Sequence, residues 1–161
     1  METSTTLIGL VLVLITILPI AFLLRNQHIN KSKIENILKQ YSQGNAKAFT
    51  VRDTINNKIV AFDEQNKKLL LIDMNAKPEL VTFADLNEIA HCEIHRKVEH
   101  SQTANKKELV TKVEVVLEKK ADKTKIPFKF YDFEYEKPIQ ITHFRDNQLA
   151  EKWLDVIKKA I

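Results

Sequence analysis

His91-Cys92-x-x-His95 holds the residue types of a zinc site. On a helix, two histidines four positions apart share a face and can bind one ion. The flanking residues alternate instead: Cys92, Ile94 and Val98 share one face, which Arg96 interrupts, and His91, Glu93, His95 and Lys97 share the other. On a strand rising ~3.3 Å per residue the two imidazoles lie about 13 Å apart and Cys92 points away from both. No metal site is expected.

Asp132, Glu134 and Glu136 bring carboxylates together, as a general acid–base pair requires. Alternating charge on a solvent-facing strand accounts for them equally well, and no histidine or nucleophile is tied to them by spacing. Gly9 and Gly44 are the only glycines, which excludes a glycine-rich phosphate loop and a nucleophile elbow. No catalytic residue and no cofactor are expected, so the chain reads as a non-enzyme whose ligand-binding residues are unknown from sequence.

The third group is basic. Arg25, Lys31, Lys33 and Lys39 stand against the single acid Glu35 in residues 25–43. Their position after an apolar run makes them topology determinants. They could also attract anionic headgroups, at ~1 kcal/mol per residue near the surface. Nucleic-acid binding needs stacking aromatics beside such a patch, and the aromatics here fall on apolar faces. No nucleic acid is expected among the partners.

Thr5–Leu24 contains no charged residue. A helix of twenty such residues is about 30 Å long, the thickness of a bilayer core. Its acidic N-terminal flank and the lack of a small-x-small site argue against a cleaved signal peptide. The basic residues after it predict a single-pass membrane protein whose C-terminal domain is cytoplasmic. One cysteine, Cys92, rules out an intrachain disulfide and suits a reducing compartment. The expected organisation is a short outer N-terminus (1–4), a transmembrane helix (5–24), a basic juxtamembrane helix and linker (25–44) and one domain (45–161).

In the juxtamembrane helix, Ser32-Lys33-Ile34-Glu35 fits a capping box and Gly44 the C′ position. The period then changes to that of strands. Runs near Phe49–Val51, Lys58–Asp63, Lys68–Asp73, Leu80–Phe83, Ile89–Val98, Leu109–Lys119 and Ile126–Tyr135 predict seven strands in meander order. The parity slips near Tyr131–Phe133, which suggests a bulge. Asp146 is placed as the N-cap of a closing helix with the stripe Leu149, Trp153, Val156, Ile157 and Ala160.

The segments KIVAFDEQNKKLLLI, ELVTFADLNEIAHCEI and FRDNQLAEKWLDVIKKAI together resemble the bacterial pleckstrin-homology-like domains over about Phe49–Ile161. The resemblance implies an α+β, mainly β fold: a seven-stranded antiparallel split barrel closed by the C-terminal amphipathic helix, serving as a non-catalytic binding scaffold. Lipid-binding members gather basic residues in the first hairpin loop, where this chain has only Arg52 and Lys58 with Asp53 between them. The expected function is a membrane-anchored module that recruits a protein or lipid partner at the bilayer. The other reading is a structural subunit of a membrane complex, pairing through a sheet edge.

Overall fold

The computed structural model describes residues 13, 15–19, 30–100, 108–133 and 140–161. The chain divides into two units, Met1–Ala46 and Lys47–Ile161.

In the first unit, residues 30–41 form helix α1. Asn30 and Lys31 are already helical, so Ser32 lies inside the helix and does not cap it. The C-terminal end is a Schellman arrangement in which the Gly44 amide donates to the Lys39 carbonyl at 2.9 Å. Gln43 takes the left-handed C′ position at φ 55°, and Gly44 follows at φ 92°. Gly44 therefore stands one residue beyond its expected place.

Among the described residues no helix is long and apolar enough to cross a membrane. The expected transmembrane helix, single-pass topology and cytoplasmic placement are corrected accordingly. A span needs ~20 consecutive apolar residues. Of Thr5–Leu24 only residues 13 and 15–19 are described, helical and exposed, and the rest lie outside the described residues.

The second unit contains β1 (Val51–Ile55), β2 (Lys58–Asp63), β3 (Lys68–Asp73), β4 (Leu80–Asp85), β5 (Ile89–His100), β6 (Glu108–Lys119), β7 (Lys125–Asp132) and α2 (Gln140–Ala160). The strands form two antiparallel sheets, β1-β2-β3-β4 and β5-β6-β7. No closed barrel forms among the described residues, which corrects the expected architecture to an α+β fold of two sheets. The break falls between β4 and β5. Asp85 accepts a bond from the Asn87 amide at 3.0 Å and caps a single 3-10 turn, Leu86–Glu88, so the chain leaves the first sheet before Ile89 begins the second.

Local chemistry explains the turns. Asn56 and Asn57 take left-handed conformations at φ 46° and 60° between β1 and β2, which asparagine tolerates better than most residues. The Asp63 carboxylate accepts from the Gln65 and Asn66 amides and from Asn66 Nδ2, closing the β2–β3 turn. Every residue of β2 is buried, so β2 is apolar on both faces, as its unbroken IVAF run allows.

Val60, Phe62, Leu69 and Leu71 of the first sheet meet Cys92, Val115, Leu117 and Phe128 of the second, with Ala150, Trp153 and Ile157 of α2. Trp153 is fully buried. The helix lies chiefly against β5, β6 and β7, so it covers a sheet face and does not plug a barrel end. It also starts earlier than expected. Asp146 lies inside it, fully buried, and both its carboxylate oxygens accept from Asn56 Nδ2, at 3.0 and 3.1 Å. A second tie joins the sheets: buried Lys58 donates through Nζ to the Phe130 carbonyl at 2.7 Å.

Bulges in β6 and β7 shift strand parity. In β6 the pairing jumps from Lys97↔Lys112 to Val98↔Val110, which leaves Thr111 as the extra residue and turns Val110 toward the core. In β7 the register jumps from Glu114↔Lys129 to Val113↔Tyr131, so the bulge is at Phe130, slightly before its expected place.

Candidate functional site

β5 is an end strand of the second sheet. It pairs with β6 on one side and with no strand on the other among the described residues. Ala90 is an extra residue at its start, since Ile89 faces Lys119 and His91 faces Glu118. The other irregularity opposite β5 is the Thr111 bulge, which belongs to β6. The backbone of residues 91–99 is thus a regular extended edge.

Alternation then sorts the side chains. His91, Glu93, His95 and Lys97 are on the outer face with Glu99, whereas Cys92 joins the core and Ile94 packs against it. Cys92 is buried on the face opposite the two histidines, so His91, Cys92 and His95 cannot converge on one ion. No group of three or more His, Cys, Asp or Glu side chains among the described residues could hold a metal. Burial pushes the Cys92 thiol pKa up, partly offset by the Lys158 charge.

The outer face is a lattice of alternating charge. His95 donates through Nε2 to Glu93 Oε1 at 2.8 Å, and Lys125 Nζ stands 3.9 Å from the same oxygen. The His95 hydrogen bond holds the Glu93 carboxyl below its ordinary value, reinforced by the charges of His95, Lys125 and His91. Further along, Lys97 pairs with Glu99 at 2.8 Å, Lys112 with Glu114 at 2.7 Å and Lys129 with Asp132 at 3.2 Å. An open hollow of about 350 Å³ lies among Lys97, Thr111, Lys112, Lys129 and Asp132. The Thr111 hydroxyl donates to the Lys97 carbonyl at 3.3 Å. This face thus presents alternating charge beside an extended backbone.

The other sequence candidates fall elsewhere. Lys31, Lys33 and Lys39 are exposed on α1, and Arg25 lies outside the described residues. Asp132 is buried beside Lys129, while Glu134 and Glu136 lie outside the described residues. Of the basic residues in the first hairpin, Lys58 is buried at the Phe130 carbonyl and Arg52 donates through Nε to the Phe49 carbonyl at 2.7 Å. Asp53 between them pairs with Lys152 at 2.7 Å. These side chains hold the domain together and do not gather around a phosphate.

Arg96 was the anomaly of the apolar face, and the structure explains it. Its Nε donates to Asn147 Oδ1 and its Nη2 to Glu151 Oε1, both at 2.6 Å, so it clamps β5 to α2. A cation breaking an apolar alternation was the one sequence signal of this contact. The open edge itself left no local signal, because strand order is a tertiary property. No protein-family model, no curated protein and no solved structure matches the chain.

Proposed function

We propose that this chain is a non-catalytic binding module that recruits a protein partner, and that the partner adds an extended segment to the edge of β5. The observation that carries this reading is the regular edge of residues 91–99, along which no other described strand pairs. An open edge offers a row of backbone donors and acceptors to another strand, and the flanking side chains select which one. Bulges are a common way to protect an edge, and here both are displaced from the stretch concerned, one to Ala90 and one to the neighbouring strand.

The test is amide hydrogen exchange on the full chain, alone and with the protein it retains from a cell extract. Amides within 91–99 should gain protection in the complex. Protection confined to other strands, or to α1, would remove the edge from the interface.

A further inference from the structure

We infer that the strand recognised by β5 is β5 of a second copy of this chain, paired antiparallel about a two-fold axis at His95. This rests on the edge reading above and adds the identity of the partner.

The argument is a register argument. A two-fold axis normal to the sheet places residue i opposite residue j of the other copy on the same face, with both counted equally from the centre. Centred on His95, Glu93 faces Lys97 of the other copy and His91 faces Glu99, and each relation occurs twice. His95 meets itself at the axis, where two planar rings can stack. Directly opposed residues have Cβ atoms about 4.5–5.5 Å apart, close enough for unlike charges to attract and like charges to repel.

Neighbouring registers fail. An axis at Ile94 sets His91 against Lys97, and one at Arg96 sets Glu93 against Glu99. An axis at Glu93 or Lys97 sets a charge against itself. The His95 centre opposes Glu93 to Lys97 and His91 to Glu99, each twice, which is more unlike pairs than any other centre on the strand gives.

Exposure agrees with the geometry. The side chains of Glu93, His95, Lys97 and Glu99 are 46%, 44%, 67% and 56% accessible, so they can turn to a partner without unpacking the core. In the dimer Lys97 sits between Glu99 of its own strand, already 2.8 Å away, and Glu93 of the other, which extends the charge ladder across the axis. On the helix-facing side, Val98, an exposed apolar residue at 42%, comes opposite Cys92 of the second copy and loses its contact with water. Ile94 comes opposite the aliphatic stem of Arg96.

The test uses the full chain in sedimentation equilibrium. Wild type should dimerise. Lys97→Glu places Glu opposite Glu93 twice per dimer, and Glu93→Lys places Lys opposite Lys97 twice. Each variant should therefore weaken self-association about tenfold or more. Mixed in equal amounts, the two variants should form a heterodimer, because every opposed pair is again unlike. That rescue also shows that both variants are folded. A Lys97→Glu chain that dimerises like wild type, or a mixture that stays monomeric, would overturn the pairing. Hydrogen exchange separates the two claims. A monomeric wild type whose 91–99 amides are protected by some other protein overturns self-pairing alone. A dimer in which those amides still exchange freely overturns both.

Discussion

Arg96 of β5 and Glu151 of α2 are joined at 2.6 Å across the seam between the second sheet and the helix that covers it. The guanidinium also engages Asn147, and Asn147 Nδ2 donates to the same Glu151 oxygen at 3.0 Å, so three side chains form one closed set. Planar donors in a fixed fork suit this geometry better than an ammonium would.

The pair is partly exposed, at 39% for Arg96 and 54% for Glu151, so its contribution is modest. In a double-mutant cycle of Arg96→Ala and Glu151→Ala, the coupling energy from denaturant unfolding should be about 0.2–1 kcal/mol and should shrink with added salt. Arg96→Lys should recover only part of it. A coupling indistinguishable from zero would mean that α2 is seated without help from the Arg96–Glu151 pair.

Trp153 sets the larger scale. It is fully buried and its Nε1 finds no acceptor among the described residues. Trp153→Ala should cost ~3–5 kcal/mol, a large fraction of the ~5–15 kcal/mol that stabilises a typical domain. Trp153→Phe should cost less, since it keeps an aromatic ring in place and removes an unpaired buried N–H. Chemical denaturation of the three chains decides the matter. An alanine variant with the wild-type midpoint would show that α2 is dispensable to the core.

Glu93 supplies a pH test. Its carboxyl is held down by the His95 hydrogen bond first and by nearby positive charge second. A carboxylate lowered in the folded state contributes stability that is present above its unfolded pKa and is lost as pH falls through the folded one. Carboxyl-carbon NMR should therefore find the Glu93 midpoint below its reference value of 4.5. His95→Ala should move it upward, toward that reference. An unchanged midpoint in His95→Ala would assign the shift to Lys125 and His91 instead.

Much of the local structure was legible in the residues. The alternation of Ile89–Val98 specified a strand and sent Cys92 and His95 to opposite faces, because the side-chain period of an extended chain is two. The spacing of Leu149, Trp153, Val156 and Ile157 specified one buried helical stripe, and Trp153 and Ile157 are in the core. The errors came where a position depends on what lies across from it. Asp146 carries the residue type of an N-cap, yet it is buried inside α2 because Asn56, ninety positions away, supplies its hydrogen-bond partner. Thr111 and Phe130 became bulges through pairing with a neighbouring strand; the residue pattern showed a parity slip only near Tyr131–Phe133 and none at Thr111.

The sequence by itself determined the strands, the buried faces and the absence of the glycine-rich loops that phosphate chemistry uses, since backbone geometry and side-chain period are local. Tertiary structure alone decided that the strands divide into two sheets and do not close a barrel among the described residues, because which strands pair is set by contacts between residues far apart in the chain. It also decided that Lys58 is an internal tie and that β5 is an end strand. An edge exists only relative to the strands that fail to cover it, and no property of His91–Glu99 taken alone could have announced one.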